Sequence, residues 1–422
     1  MSRASRRRSR NRSGRPRPGP PDHRWPAPRA GHRPPDDPFP HPAVPMKLFP
    51  LSSLPKRAYR LLPRLWTSGL DLVQQRRHGG DRPPARLDVM TAIGGNDADV
   101  LQVLLLSLSE AHPRDRITFW MFYLDLGPAK LASLTAFCEG LPNLTLQLVR
   151  VPEKADFALL SKLGGRPFGA RFLWLAAHLH LPPEMSRIIY LDPLDMIVTD
   201  DLLPLLHQPF FGRYLVACRE YPHRPPLISR PARQAHARGA SAEKLQRMSW
   251  GIVNSGAIVL NLDKFRRDGV TMAHYVEVGR WAQEIGLSFG DQGLFSLTHG
   301  SDYTQTHDRY NLRFHDAGRR DRTLPPAVIH FAGRIPKPYH LRLTSEQQQQ
   351  VLDHLARTGL PALPLNAHQT LKPHDLDYYR QWWDVCARTP VHARVAPMAA
   401  DYAARVLAEQ GVDAPPEAAP LP

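Results

Sequence analysis

Cysteine is scarce in this chain: Cys138, Cys218 and Cys386 are the only three in 422 residues. They are odd in number and far apart, with neither a disulfide framework nor metal-ligand spacing, which points to a reducing compartment. Long apolar runs are missing too. No stretch reaches the ~18–20 residues that span a bilayer, and the N-terminal segment has no apolar core of a secretory signal. No internal repeat is present. The first strand-to-helix turn lacks G-x-G-x-x-G, so a Rossmann dinucleotide site has little support.

Acidic residues are in deficit as well, 39 against 55 Lys and Arg, for a net charge of +16. The excess is concentrated at one end. Residues 1–45 hold eleven arginines, three aspartates and twelve of the 44 prolines. Such a segment cannot bury enough apolar surface to offset its ordering entropy and is expected to be disordered. The change of texture at Met46 would fit a translation start placed upstream of the true one. A nucleic-acid-binding arm is disfavoured, because interleaved aromatics are absent. Residues 46–86 form a basic, apolar lead-in, K-L-F-P-L-S-S-L-P-K-R-A-Y-R-L-L-P-R-L-W at its start. It suits either an anionic membrane surface or a helix packed on the domain, with its prolines expected to break any long helix.

What remains is globular in composition, 42% hydrophobic. From Leu87, β-like runs alternate with helical patterns at βαβ spacing: L-D-V-M-T-A-I, I-T-F-W-M-F-Y-L, L-T-L-Q-L-V-R-V and R-I-I-Y-L, with helices expected near 128–139 and 168–181. The pattern predicts an α/β fold with a mostly parallel central sheet flanked by helices. Strands are also expected at 214–218 and 257–262, an amphipathic helix over 270–285 and helices after Tyr339, one near 375–385. Residues 219–250, polar, basic and broken by proline, read as a surface excursion or lid, and the tail beyond about 412 as disordered.

Four segments carry the chemistry. Y-L-D-P-L-D-M-I-V (190–198) puts Asp192 and Asp195 after an apolar run, where two carboxylates offer hard oxygen ligands for Mg²⁺ or Mn²⁺. Taken alone, such a pair after a strand is more often a turn in which the Asp side chains cap the backbone. V-I-H-F-A-G-R-I-P-K-P-Y ends a second apolar run with His330, a natural third ligand or a satisfied core histidine. Lys337 and Arg334 follow as cations for phosphate or as a solvated turn. N-S-G-A-I-V-L-N-L brings Asn254, Ser255 and Gly256 just before a strand, able to bond sugar hydroxyls and leave room for a ring, or simply to turn. G-D-Q-G opens a helix, with Asp291 as N-cap or as a holder of sugar hydroxyls. Upstream, Gly94-Gly95 allows close backbone approach to a ligand at a helix N-terminus, or a plain tight turn.

In order and spacing these segments resemble a retaining glycosyltransferase of family 8, the group of bacterial lipopolysaccharide galactosyl- and glucosyltransferases and of glycogenin. Y-L-D-P-L-D-M-I-V-T-D-D-L is similar to the family's Y-L-D-x-D segment, V-N-S-G-A-I-V-L-N-L-D-K-F-R to F-N-[AS]-G-V-x-L-I-N-L-x-x-W-R, and V-I-H-F-A-G-R-I-P-K-P-Y to I-I-H-F-x-G-x-x-K-P-W. G-D-Q-G-L-F matches D-Q-D-x-L-N in its first two residues, and R-Y-N-L resembles K-Y-N-x. The resemblance covers about 88–340 and implies a GT-A glycosyltransferase domain at 87–340, followed by a helical extension over 341–411. It implies a Mn²⁺ or Mg²⁺ ion on Asp192, Asp195 and His330, and a nucleotide-sugar donor, UDP-glucose or UDP-galactose. Arg171, Lys337 and Gly333 would face its diphosphate. Asn254, Ser255, Asp291 and Gln292 would surround its sugar, with Gln292 at the position nearest to a nucleophile. The acceptor would be a cell-surface glycan or lipid-linked saccharide, reached from the cytoplasmic side of the membrane.

The chain departs from the family in three places. The metal pair is D-x-x-D rather than D-x-D, and Asp195 is preferred to Leu194 because D-M-I-V-T-D-D-L then aligns. Lys337 lies seven residues after His330 instead of six. The first turn reads A-I-G-G-N-D, not A-x-D-D-N-Y. Asn96 survives there as a uracil or ribose contact, while the acidic pair and the base-stacking tyrosine are gone. These losses are also what a nucleotide-sugar-binding protein without catalysis would display.

Overall fold

The computed structural model describes residues 58–165, 169–220, 237, 252–284, 286–300, 302–314 and 324–412. The Arg/Pro-rich arm, almost all of the 219–250 excursion and the tail beyond Val412 lie outside the described residues. Helix α1 (Ala58–His78) comes first and runs without interruption through Pro63, against the expectation that proline would break it. Then follow β1 (Arg86–Ile93), a 3₁₀ turn leading into α2 (Leu101–Ala111), β2 (Arg116–Tyr123), α3 (Pro128–Glu139), β3 (Leu144–Arg150) and α4 (Lys154–Gly164). Helix α4 was not expected. It ends at Gly165, whose φ of 62° supplies the left-handed cap.

The helix expected near 168–181 is instead a 3₁₀ segment, Gly169–Ala176, running into a single α-helical turn, α5 (Ala177–His180). Its run Phe172, Leu173, Trp174, Leu175 and Ala176 is buried throughout. Next come β4 (Arg187–Leu191), β5 (Met196–Val198), α6 (Leu203–Leu206), β6 (Leu215–Arg219), β7 (Val253–Asn261), α7 (Leu262–Arg267), α8 (Met272–Glu284) and α9 (Asp291–His299). Short strands β8 (Tyr303–Gln305), β9 (Leu312–Arg313) and β10 (Val328–His330) precede α10 (Ser345–Thr358), β11 (Leu363–Pro364), β12 (Thr370–Leu371), α11 (Leu376–Cys386) and α12 (His392–Glu409).

The main sheet has the order β3-β2-β1-β4-β7-β6-β8. Strands β1 to β4 are parallel, and β7 is antiparallel to both β4 and β6. Alternate residues serve opposite faces: Leu87, Val89 and Ile93 of β1 pack with α2, and Met90 and Ala92 with the 3₁₀ segment and α9. Burial on both faces is why these strands read as nearly continuous apolar runs. A second, small sheet, β5-β10-β9, lies beside the first.

The reversal at β7 decides where the site forms. Leu191 pairs with Ala257, so the start of β7 meets the carboxyl end of β4. Asn254, Ser255 and Gly256 therefore lie within β7 and not before the strand as the sequence suggests. The C-terminal helices share a core with the small sheet: Val395, Ala399 and Trp382 pack with Ile197, Ile329 and Phe331. Helix α1 turns Thr67, Asp71 and Gln74 inward, and Tyr310 Oη donates to Asp71 Oδ1 at 2.5 Å. No helix among the described residues is long and apolar enough to cross a membrane.

Candidate active site

The carboxyl end of β4 delivers Asp192, and a Pro193-Leu194 bend carries the chain into β5 with Asp195 at its entrance. The small sheet then supplies the third group. His330 pairs with Met196 across β10 and β5, and the Phe331 N–H donates to the Asp195 carbonyl at 2.8 Å. His330 Nε2 lies 3.6 Å from Asp192 Oδ2 and 3.5 Å from Asp195 Oδ2. One potential ligand atom from each of the three residues lies within 4.8 Å of those of the other two. The extra residue in D-P-L-D is absorbed by the bend, so both carboxylates still converge.

The histidine is held in one tautomer. Asn311 Nδ2 donates to Asn254 Oδ1 at 2.7 Å, which leaves Asn311 Oδ1 to accept from His330 Nδ1–H at 2.9 Å. The lone pair of Nε2 then faces the two carboxylates, the arrangement that prepares an imidazole for a cation. Asn254 is fixed in turn: its Nδ2 donates to Glu220, and its Oδ1 accepts the Gly256 N–H at 3.1 Å. Gly256 makes room for the ring. A Cβ there would stand 2.3 Å from His330 Cε1 and 2.7 Å from Met196 Cε.

The two carboxylates are unequal. Burial, then the negative charge of Asp195, pushes Asp192 up from the usual carboxylate range, while Tyr190 Oη donates to its Oδ1 at 2.8 Å. Burial would raise Asp195 too, but the Lys337 ammonium outweighs it and holds that carboxyl below the usual range. Lys337 is paired directly with Asp195 Oδ2. The loop bearing Lys337 turns at exposed Gly333, whose φ of 126° favours glycine, and is tied to the C-terminal helices by Tyr379 Oη, which donates to the Pro336 carbonyl at 2.6 Å.

A second group lies along β7 and α9. Asp291 is the first residue of α9, and Gly290 takes the cap position expected for Asp291. Asp291 Oδ2 accepts from Ser255 Oγ at 2.6 Å and from Trp174 Nε1 at 2.9 Å. Gln292 Oε1 accepts the Ser255 N–H at 3.4 Å. Arg171 reaches the same region, its Nη1 3.7 Å from where a Cβ on Gly290 would be, and its buried Nε has no partner among the described residues. A buried guanidinium nitrogen left without an acceptor suits an anionic ligand.

Gly94 and Asn96 follow β1 at the same edge of the sheet, in a turn where Gly95 has a φ of 88°. Lys130 Nζ donates to the Gly95 and Asn96 carbonyls, each at 3.0 Å. The Asn96 side chain is exposed and has no direct bond to the two groups above. Residues the sequence reading gave no role are Asn311, Glu220, Tyr190 and Trp174. Two of these four, Asn311 and Tyr190, stand inside quoted segments, R-Y-N-L and Y-L-D-P-L-D-M-I-V. Their partners are distant in sequence, so spacing alone could not assign them.

A second His/Asp group, His112, Asp115 and Asp201, is already satisfied. Arg82 donates to both oxygens of Asp115 at 2.7 Å, and His112 Nε2 accepts the Leu202 N–H at 3.1 Å. It is a structural clasp.

Residues 170–341 match the model of glycosyl transferase family 8. That interval contains both groups of the site and excludes Gly94 and Asn96. No curated protein sequence matches the chain. Among solved structures it is similar to the galactosyltransferase LgtC in complex with donor and acceptor sugar analogs (21% identity, 66% of this chain and 98% of that one, TM-score 0.46). It is also similar to the bifunctional glycosyltransferase WbbM (16%, 76% and 53%, 0.48) and to mouse xyloside xylosyltransferase 1 (18%, 59% and 98%, 0.41). Residues 170–341 are a glycosyl transferase family 8 domain set in an α/β fold with a mostly parallel sheet, and the chain is a glycosyltransferase.

Proposed function

We propose that this chain transfers a hexose from UDP-glucose or UDP-galactose, with retention of configuration, to a cell-surface glycan or lipopolysaccharide acceptor carried at a membrane, which the basic lead-in helps it to reach. The observation that carries the reading is the fixed His330 lone pair aimed between Asp192 and Asp195. Two carboxylates and a neutral imidazole fit Mn²⁺ or Mg²⁺, and Asp192, Asp195 and His330 would hold it. When bound, the ion supplies Lewis-acid neutralisation of the diphosphate leaving group.

The remaining work falls to the protein's own groups. Arg171 and Lys337 bind and orient the diphosphate, with Lys337 exchanging Asp195 for phosphate oxygen. Asp291, kept in place by Ser255 and Trp174, accepts from donor-sugar hydroxyls. Gln292 lies beside it, but an amide is a poor nucleophile. Front-face attack, with a leaving-group phosphate oxygen taking the acceptor proton, therefore suits these residues better than double displacement.

The test is UDP release from a panel of UDP-hexoses, with Mn²⁺ or EDTA, for the wild type and Asp195→Ala. Manganese-dependent release lost in the variant is the expected result. Donor-induced thermal stabilisation without any release would instead favour a binding protein that keeps the fold without catalysis.

A further inference from the structure

Helix α1 is packed inside out. Thr67, Asp71 and Gln74 are buried, whereas Leu62, Leu65, Trp66, Leu72 and Val73 are exposed. These five are spaced by threes and fours through Gly69, so they form one apolar stripe along the outer face. They are five of the twelve large hydrophobic side chains exposed among the described residues, with Leu65 at 60% and Trp66 at 56%. Burying Asp71 while exposing the leucines is costly in water, and the buried face is polar by construction: Tyr310 Oη donates to Asp71, and Gln75 Nε2 donates to Tyr310 Oη at 3.0 Å.

Phe211 extends the stripe. Its ring is 59% exposed and its centroid lies 6.1 Å from that of Trp66. It is the one non-glycine residue with positive φ, 48°, among the described residues. A bulky residue held in that region signals strain retained for a purpose. The chain along and before the stripe is basic. Exposed Arg76 and Arg77 continue it at the next helical positions. Between Asp37 and Asp71 the sequence has no acidic residue and carries Lys47, Lys56, Arg57, Arg60 and Arg64.

We infer that the outer stripe of α1, with Phe211, docks into the headgroup and upper acyl region of an anionic bilayer. An apolar face bearing tryptophan and bordered by arginines is what such a surface binds. The inference deepens the membrane contact proposed above by naming the face that makes it. It does not depend on the donor chemistry.

The test uses the full chain and vesicles of phosphatidylglycerol with phosphatidylethanolamine, or of phosphatidylcholine alone, at a salt concentration that screens the Arg-rich arm. We expect wild-type co-sedimentation with the anionic vesicles, weakened at least about tenfold in Leu65→Ser/Trp66→Ser/Leu72→Ser. Trp66→Phe should still bind but lose fluorescence quenching by brominated acyl chains. Because the substituted side chains are exposed, the triple variant should melt at the wild-type temperature and release UDP from the donor at the wild-type rate. Failure here is thus separable from failure of the glycosyltransferase reading. Equal vesicle binding by wild type and triple variant would overturn the inference, as would no binding by the wild type. A dimer that the triple variant dissociates would give the stripe to a second copy instead. Shielding of Trp66 from iodide without vesicles would give it to the chain's own first residues. Either outcome overturns the membrane assignment.

Discussion

Asn311 touches no expected ligand, yet it sets which nitrogen of His330 faces the carboxylates. Replacing it with leucine removes the acceptor for Nδ1–H and frees the ring to tautomerise or rotate. We expect Asn311→Leu to weaken Mn²⁺ binding by about 10–100-fold in calorimetric titration, and Asn311→Asp, which keeps an acceptor, to weaken it less. Unchanged affinity in the leucine variant would remove Asn311 from the account. Gly256→Ala addresses the same ring by sterics. With a Cβ 2.3 Å from His330 Cε1, the ring or strand β7 must move. A loss of about 1–3 kcal/mol in urea unfolding is expected, together with loss of Mn²⁺ binding. Of these residues the sequence made Asp192, Asp195, His330 and Gly256 visible, because each stands at the end of an apolar run or in a recognisable segment. Asn311 and Glu220 were illegible as parts of the site, since a hydrogen-bond partner dozens of residues away leaves no local pattern.

At the scale of elements, the errors have a common physical source. Strand β5 is only three residues long and is held by pairing with β10, a contact 130 residues away that periodicity cannot register. The run 172–176 of the 3₁₀ segment is apolar all round because it is buried all round. That composition is compatible with an α-helix until the backbone is known. The boundary at β7 was misplaced because Asn, Ser and Gly are poor strand formers, and tertiary pairing with β4 overrides that preference. The loop 331–337 is a case where one element positions another. Tyr379→Phe deletes the hydroxyl that donates to the buried Pro336 carbonyl. It should destabilise the protein by about 1–3 kcal/mol and raise the donor KM through misplacement of Lys337, with kcat changed less. Equal falls in both parameters, or none, would separate Tyr379 from the lysine loop.

For the whole molecule, buried histidines set the response to acid. Burial lowers His178, whose Nε2–H donates to the Val270 carbonyl at 2.7 Å, and lowers His299 to about 3. Between that value and the ordinary one near 6.5 the unfolded chain binds a proton at His299 that the folded chain refuses. Stability contributed by the neutral ring is present above the unfolded value and lost as pH falls below it. His299→Gln keeps an acceptor for Tyr275 Oη and removes the titration. Relative to this variant, the wild type should lose up to about 1.4 kcal/mol per pH unit below about pH 6.5 in urea unfolding. Parallel pH profiles would exclude His299 as a source of acid sensitivity. The α/β class and the mostly parallel sheet were readable in advance because strands buried on both faces are conspicuous. The reversed polarity of α1 was not, since apolar spacing says which residues share a face and nothing about which way that face points.

The contact between Asp71 and Tyr310 has a consequence for how separable the first helix is. Tyr310 is the immediate neighbour of Asn311, and its hydroxyl is engaged by two residues of α1. A chain begun after His78 would keep every residue of the family domain, yet would strip from that phenol both of its α1 partners, one peptide bond away from the group that orients His330. Trimming the lead-in to obtain a minimal enzyme would therefore act on the metal site from behind, and helix and domain are better treated as one inherited unit than as an accessory joined to a module.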